Sequence, residues 1–246
     1  MAPRPLGGYE AWQPVRMPDI DWDSITTRVE PASSLVLITG ACALVAVAVD
    51  GVWRWARSVV TIVHEAGHAT VALLTGRRLT GIRLHSDTSG LTLSVGKPSG
   101  PGMVLTAAAG YVSPALVGLV GVVLLAFDQV TIMLWAGTAI LLAMLLMVRN
   151  LYGALLLVAT GAVVVAVSLY ATADVQAAFG YAMTWFLLLG AVRPVAELRR
   201  TRRRRPGSSD ADVLARLTRV PATVWVGVFG VINLGALVAG GWLLIA

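Results

Sequence analysis

The chain has 246 residues, of which 57% are apolar and 13% are charged. This composition excludes an ordinary soluble domain and indicates a membrane protein with several spans. The single cysteine, Cys42, excludes both a disulfide framework and a zinc site made of cysteines. The net charge of +6 is concentrated in one block, Arg199, Arg200 and Arg202 to Arg205. We expect this block to contact anionic lipid and not nucleic acid, since no base-reading or stacking module accompanies it.

Hydropathy divides the chain into two parts. Residues 1–32 are polar and form a tail that lacks the pattern of a removable signal peptide. Residues 33–246 contain apolar segments at about 33–49, 58–76, 102–127, 130–148, 151–171, 177–193 and 222–246. The sequence therefore predicts an all-α polytopic membrane protein with about seven transmembrane helices, or six if the short first segment does not cross fully.

The distribution of Lys and Arg predicts how these segments are oriented in a cell membrane. With the N-terminus in the cytoplasm, every Lys and Arg falls in a cytoplasmic segment except Arg54 and Arg57. The C-terminus is then outside, and the second segment runs from outside to inside. Asp50 also falls on the outer side, whereas Arg193 and Glu197 fall on the cytoplasmic side.

Residues 82–95 have the period of a β-hairpin. Ile82 and Leu84 alternate with polar residues, the same pattern returns at 91–95, and the stretch 86–90 supplies a turn. We predict a small hairpin on the cytoplasmic face, with His85 exposed to solvent. If its edge lies near a catalytic site, it could hold a substrate as an added strand.

The second apolar segment carries His64-Glu65-Ala66-Gly67-His68. Two imidazoles four residues apart lie on one face of a helix, where both can bind one Zn²⁺, and Glu65 is placed to act as general base on a water. A histidine in an apolar helix is more often a hydrogen-bonded core residue. Here, however, two of the three His and one of the four Glu fall in this single pattern, which favours a metal site.

A catalytic zinc usually takes three protein ligands, and the third is open in this sequence. Asp210 is the preferred candidate, because it starts a short amphipathic helix before the last segment, with Ser209 or Asp210 as N-cap. Asp212, Glu197 and Asn150 are the alternatives. Asn150 is also predicted either to cap the fifth segment or to bind the backbone of a substrate. Residues 194–221 are expected to form a basic cytoplasmic loop, since the sixth segment should end at Pro194.

Small residues at 107–110 begin a stretch of the third segment that includes Tyr111 and Pro114. Such residues allow close helix packing, and Pro114 is expected to kink the helix. The alternative is that the bend from Gly110 to Pro114 lines the active-site cavity. Composition alone favours packing.

These features together resemble the site-2 protease family of intramembrane zinc metalloproteases, in particular its compact bacterial branch. The matching parts are His64 to His68 within a span, the hairpin after it, Gly110-Tyr111 with Pro114, and Ser209-Asp210-Ala211 before the last span. The resemblance implies zinc at His64 and His68, Glu65 as base and membrane-spanning protein substrates. The chain departs from the main branch because no Leu-Asp-Gly motif follows His68.

The sequence thus predicts an intramembrane metalloprotease, with Zn²⁺ as cofactor and hydrolysis of peptide bonds as its reaction. Two other classes stay open at this point. One is a catalytically inactive membrane scaffold or regulator that retains the protease fold. The missing Leu-Asp-Gly motif favours this class. The other is a small-solute transporter, although its ionisable residues would more usually be spread over several spans.

Overall fold

The computed structural model describes residues 33–204, 207 and 209–246, and for 201–204 it describes only the backbone. The predicted N-terminal tail at 1–32 lies outside the described residues. The elements in chain order are α1 (Ser33–Ala48), α2 (Asp50–Leu74), β1 (Arg78–Leu84), β2 (Gly90–Val95), α3 (Pro101–Ala126), α4 (Val130–Met147), α5 (Leu151–Tyr170), α6 (Ala173–Arg204), α7 (Asp210–Thr218) and α8 (Ala222–Ile245).

Each of the seven predicted apolar segments corresponds to one helix among these elements. Five helices in the described part of the chain, α3, α4, α5, α6 and α8, are long and apolar enough to cross a membrane. The pair α1 and α2 adds a sixth if it is one span, and the two helices meet at a bend of 102°. The all-α polytopic fold with a two-stranded sheet is therefore confirmed, and the described residues contain five or six candidate spans where the sequence predicted seven or six.

The bend between α1 and α2 is fastened to α6. Arg193 in α6 forms an ion pair with Asp50 and donates a hydrogen bond to the carbonyl oxygen of Val47 at the end of α1. In addition, Arg57 Nη1 lies 3.3 Å from Glu197 Oε2. The sequence placed Asp50 and Arg57 on the opposite side of the bilayer from Arg193 and Glu197, and these contacts show that this separation is wrong.

The reason is that α1 runs alongside α6 in the same direction. Val36 packs in one cluster with Tyr181, and Gly40 lies against Trp185. Hydropathy identifies two apolar segments here but does not report the angle between them. The helix breaks at Val49, and α1 and α2 together are a broken span or a re-entrant loop and not two separate candidate spans.

Helix α6 continues through Pro194, whereas the sequence predicted its end there and a loop over 194–221. Within the described part of this range, residues 194–204 belong to α6 and residues 210–218 form α7. A proline inside a helix removes the amide donor to the carbonyl oxygen four residues before it. Here a third helix donates to the adjacent carbonyl oxygen of the same turn. Asn233 Nδ2 in α8 donates to Ala191 O at 2.9 Å and to Tyr111 O at 3.0 Å, three residues before Pro194 and Pro114 respectively. One buried amide thereby joins both proline-containing helices.

The hairpin is confirmed, but β1 starts at Arg78 and not at 82. A register shift between Leu79 and Gly81 interrupts the alternation, so the pattern in the sequence becomes visible only after it. The outer edge of β1 is occupied, because Ile82 forms a bridge with Val148 and its carbonyl oxygen accepts a hydrogen bond from the amide of Arg149. In the two-stranded sheet that the described residues form, the outer edge of β2 is therefore the edge to which a further strand can be added.

Helix α3 is the central element that positions the site, since it packs against α2, α6, α7 and α8. Small residues allow these close approaches. Gly67 of α2 faces Ser113 of α3, while Gly118 and Gly121 of α3 face side chains of α6. A Cβ at any of these three glycines would collide with the facing residue.

Candidate metal centre

The polar residues of α2 lie on one stripe of an otherwise apolar helix. Arg57, Thr61, His64, Glu65 and His68 follow the spacing of a single helical face. Each of them lines a cavity of about 570 Å³. The walls of this cavity come from the hairpin, α3, α6 and α7, so residues far apart in sequence converge on the same stripe.

Three possible ligand atoms form a nearly equilateral triangle in this cavity. The distances are 3.1 Å between the Nε2 atoms of His64 and His68, 3.2 Å from His64 Nε2 to Asp210 Oδ2, and 3.3 Å from His68 Nε2 to Asp210 Oδ2. Atoms about 2.0–2.1 Å from a tetrahedral zinc ion lie roughly 3.3 Å apart. The spacing and the His₂–carboxylate donor set therefore fit zinc, with a fourth position left for water or substrate.

The orientation of His68 is fixed by the backbone of α3. Its Nδ1 lies 2.7 Å from the carbonyl oxygen of Thr106. A carbonyl oxygen can only accept, so Nδ1 must carry the proton, and in the neutral ring the lone pair is on Nε2. This second contact gives the tautomer that a metal ligand needs and holds the ring in place.

Helix α3 also supplies the space for the two imidazoles. At Gly110, a Cβ would lie only 2.6 Å from His64 Nε2 and even closer to His68 Nε2. The ring of Tyr111 contacts the ring of His64 edge-on, with centroids 4.9 Å apart, and stacks on Phe229 of α8. Both predictions for Gly110 to Pro114 therefore hold: α3 packs closely against α2, and Tyr111 and Pro114 line the cavity while Gly110 borders the ligands.

The acidic member of the cluster comes from α7, and the start of this helix explains its position. Ser209 is the N-cap and forms a capping box with Asp212, whose Oδ2 accepts from Ser209 Oγ at 2.6 Å. Asp210 is the first helical residue, and its carboxylate points to the imidazoles. Burial would raise the pKa of Asp210, but hydrogen bonds and Coulomb attraction from His64 and His68 outweigh it and lower the pKa.

The other acidic candidates have different partners. Asp212 is engaged in the capping box, and Glu197 accepts hydrogen bonds from Trp53 Nε1 at 2.9 Å and Arg193 Nε at 3.0 Å. Glu197 also lines the cavity, where it forms an ion pair with Arg57. Of the four alternatives that the sequence left open, the structure places Asp210 with the two imidazoles.

Asn150 lies behind the hairpin and does not line the cavity. Its Oδ1 accepts from the amide of Leu84 at 3.2 Å, and its Nδ2 donates to the carbonyl oxygen of Leu84 at 2.6 Å. It occupies the N-cap position of α5 without a capping hydrogen bond from its side chain. The backbone that it binds is thus that of β1, and direct binding of a substrate stays a prediction. His85 is exposed, as predicted, and contacts Ser89 within the turn.

Glu65 is buried against the hairpin, with 3% of its surface exposed. Thr92 Oγ1 of β2 donates to Glu65 Oε2 at 2.6 Å, and a Cβ at Gly90 would collide with the same carboxylate. Neither Thr92 nor Thr106 was predicted from the sequence as a site residue. Thr92 could have been noticed, because it lies on the polar side of the β2 alternation. The carbonyl group of Thr106 has no sequence signal, since every residue has one.

Comparison with known proteins agrees with this geometry. Neither a curated protein nor a solved structure matches the chain. The family model described as Peptidase M50B-like matches residues 37–240, which include α2, the hairpin and α7. The resemblance to site-2 proteases is thereby confirmed at the level of the family, and the chain belongs to the Peptidase M50B-like family of membrane peptidases.

Proposed function

We propose that the protein is an intramembrane zinc metalloprotease that hydrolyses peptide bonds of membrane-spanning proteins. The observation that carries this proposal is the triangle of His64 Nε2, His68 Nε2 and Asp210 Oδ2 in a cavity that Glu65 also lines. A site for structural zinc usually has four protein ligands, whereas this set offers three and an adjacent acid. The family match supports a peptidase.

His64, His68 and Asp210 would hold the zinc ion. When bound, zinc polarises the scissile carbonyl group and lowers the pKa of water towards neutrality. Glu65 takes a proton from the attacking water and delivers it to the leaving amine, so one water is added and one C–N bond is broken. The surrounding α3 and β2 exclude bulk water, which strengthens the charge interactions of Glu65 with its surroundings.

The free edge of β2 is suited to hold the substrate. Gly90, Leu91, Thr92 and Ser94 line the cavity that contains the imidazoles. The other edge of the sheet is covered by residues 148–150, so an added strand could pair only with β2. A transmembrane substrate must unwind to be cleaved, and pairing with β2 would satisfy its exposed amide and carbonyl groups.

An inactive scaffold is the main alternative, and the position of Asp210 weakens its support. The absence of a Leu-Asp-Gly motif suggested that the acidic ligand was lost. Asp210 supplies a carboxylate at the same two imidazoles from a different element. The chemistry of the cluster is thus complete without that motif.

The test is cleavage of a labelled transmembrane peptide by purified protein in lipid nanodiscs. We expect one zinc per chain in the wild type and in Glu65→Gln, with cleavage only in the wild type. Loss of the general base should lower the rate by about 10²–10⁴-fold. Asp174→Asn, which removes an exposed carboxylate at the start of α6, is the matched control and should cleave normally.

The outcomes separate the three classes. Cleavage by Glu65→Gln at the wild-type rate would refute the mechanism. Zinc binding without any cleavage would favour the scaffold. Absence of zinc from the wild type, together with solute flux in vesicles, would favour a transporter.

We also propose an orientation in the cell membrane, with the hairpin and the basic end of α6 in the cytoplasm. Since α1 and α2 count as one bent span, the N-terminus is then outside, opposite to the expectation from seven spans. All Lys and Arg except Arg4, Arg16 and Arg28 fall on the cytoplasmic side, which satisfies the positive-inside rule. Arg199 and Arg200, the part of the basic block whose side chains are described, are exposed there and would meet anionic lipid.

Thiol labelling tests this orientation, because Cys42 is the single native cysteine. In a Cys42→Ser background, Ser33→Cys should react with an impermeant maleimide on intact cells. Thr88→Cys in the hairpin turn should react only after permeabilisation. Labelling of Ser33→Cys only after permeabilisation would mean that α1 crosses the membrane separately.

A further inference from the structure

The carboxylate of Glu65 requires a fixed direction that its own helix does not provide. A glutamate side chain has three rotatable bonds, and a general base must aim one oxygen at the water that it deprotonates. Glu65 follows His64 on α2, so the helix fixes only its Cβ. The contacts that fix the carboxylate come from β2.

Thr92 holds one oxygen of this carboxylate. Its hydroxyl group donates to Glu65 Oε2 at 2.6 Å, a distance typical of a strong hydrogen bond to a charged acceptor. The same hydroxyl lies 3.2 Å from the backbone carbonyl oxygen of Glu65. Thr92 therefore ties one carboxylate oxygen to the helical turn that carries Glu65.

Gly90 of β2 packs against the same carboxylate. Residues 90 and 92 lie on the same face of β2, because side chains alternate along a strand. A Cβ at position 90 would collide with Oε1, Cδ and Cγ of Glu65, so the strand backbone packs directly on the carboxylate. The strand is fixed in turn, since it pairs with β1, and Asn150 hydrogen bonds the end of β1.

We propose that Thr92 is a positioning residue for the general base Glu65, an inference that rests on the proposed protease function. The hairpin then has two tasks, because the strand that offers its edge to the substrate also aims the base. Loss of the Thr92 hydroxyl should slow the chemical step without weakening the binding of substrate or zinc.

The test compares Thr92→Val, which keeps the branched shape, with Thr92→Ser, which keeps the hydroxyl. We expect kcat of Thr92→Val to fall by about tenfold, a part of what a general base contributes, with KM and zinc content unchanged. Thr92→Ser should restore kcat. The matched control is Thr80→Val, since the Thr80 hydroxyl donates to Leu93 O in the same hairpin but away from the site.

A second readout does not depend on activity. In zinc-free protein labelled with ¹³C-glutamate, the infrared band of Glu65 can be identified among four glutamates by its loss in Glu65→Gln. This band should shift in Thr92→Val and return in Thr92→Ser. An unshifted band, or wild-type kcat in Thr92→Val, would overturn the inference. A raised KM at unchanged kcat in Thr92→Val would also overturn it, and so would a loss of kcat in Thr80→Val equal to that in Thr92→Val. Full activity of Glu65→Gln would instead overturn the protease mechanism itself.

Discussion

The two sides of the metal centre are built in different ways. On one side, His64 and His68 belong to a long helix and are spaced by its period, with α3 packed against them at Gly110 and Thr106. On the other side, Asp210 comes from α7, which has nine residues and follows the basic end of α6. The first side is preformed by the helix itself, whereas the second depends on where a short helix docks.

The docking of α7 rests on a few contacts. Ala211 and Leu214 are completely buried and pack in one cluster with Leu198 of α6 and Ala222 of α8. The capping box of Ser209 fixes the first turn, in which Asp210 lies. We call the imidazole side the rigid side, because one long helix places both rings, and the carboxylate side the adjustable side, because the docking of a short helix places Asp210. Substitutions on the two sides should have different effects.

The largest effect on zinc affinity is expected at Asp210, the ligand on the adjustable side. Asp210→Asn removes the charged ligand, so zinc affinity should fall by more than the roughly 10- to 100-fold that outer-shell partners contribute. Competition titration with a zinc chelator measures this. Asp212→Asn, two residues further on, should lose much less, since Asp212 supports the cap and not the ion. Equal losses in the two variants would show that the order of α7, and not a ligand, is what matters.

A smaller effect is expected from reducing the space on the rigid side. In Gly110→Ala, the added methyl group collides with both Nε2 atoms, and the packed α2 and α3 leave little room for adjustment. We expect zinc affinity to fall by about 10- to 100-fold, comparable to the loss of an outer-shell contact. Gly137→Ala in α4 is the control, because a Cβ there meets no atom within 4 Å. If Gly110→Ala bound zinc as well as the control, the imidazoles would be less tightly enclosed than the structure indicates.

The smallest effect is expected at the N-cap of α7, the helix that places Asp210. Ser209→Ala removes the N-cap, which should destabilise α7 by about 1 kcal/mol and weaken the apparent zinc affinity by at most roughly fivefold. Hydrogen exchange of the α7 amides should increase in the zinc-free variant and return to the wild-type level with excess zinc. Faster exchange that zinc does not reverse would uncouple this helix from the centre.

This contrast also explains what could be predicted from the sequence. The rigid side was readable, because one helical period brings His64, Glu65 and His68 together regardless of the rest of the fold. Asp210 was reachable only by sorting the acidic residues and by noticing a helix start at Ser209. Thr92 could be recognised as a polar residue of β2, but its contact with Glu65 could not, since the sequence does not show how β2 lies against α2.

The errors in the topology have a similar origin. Hydropathy identified the apolar segments but not the 102° bend near Asp50, because a turn stabilised by Arg193 from α6 leaves no local pattern. Pro194 was read as the end of a helix, but a membrane helix can continue through a proline that is packed against polar groups of a neighbouring helix. Asn233 supplies such a group, since it donates to the carbonyl oxygen of Ala191 in the turn before Pro194.

The amide of Asn233 has a consequence for how the chain is assembled. It hydrogen bonds carbonyl groups in α3 and α6, yet it belongs to α8, which the ribosome makes after both of them. Until α8 packs against α3 and α6, the Asn233 amide lacks these two acceptors, and an unsatisfied polar group in lipid costs several kcal/mol. The link between the two proline-containing turns can therefore form only after α8 has been made, and the amide favours the packing of α8 against both helices.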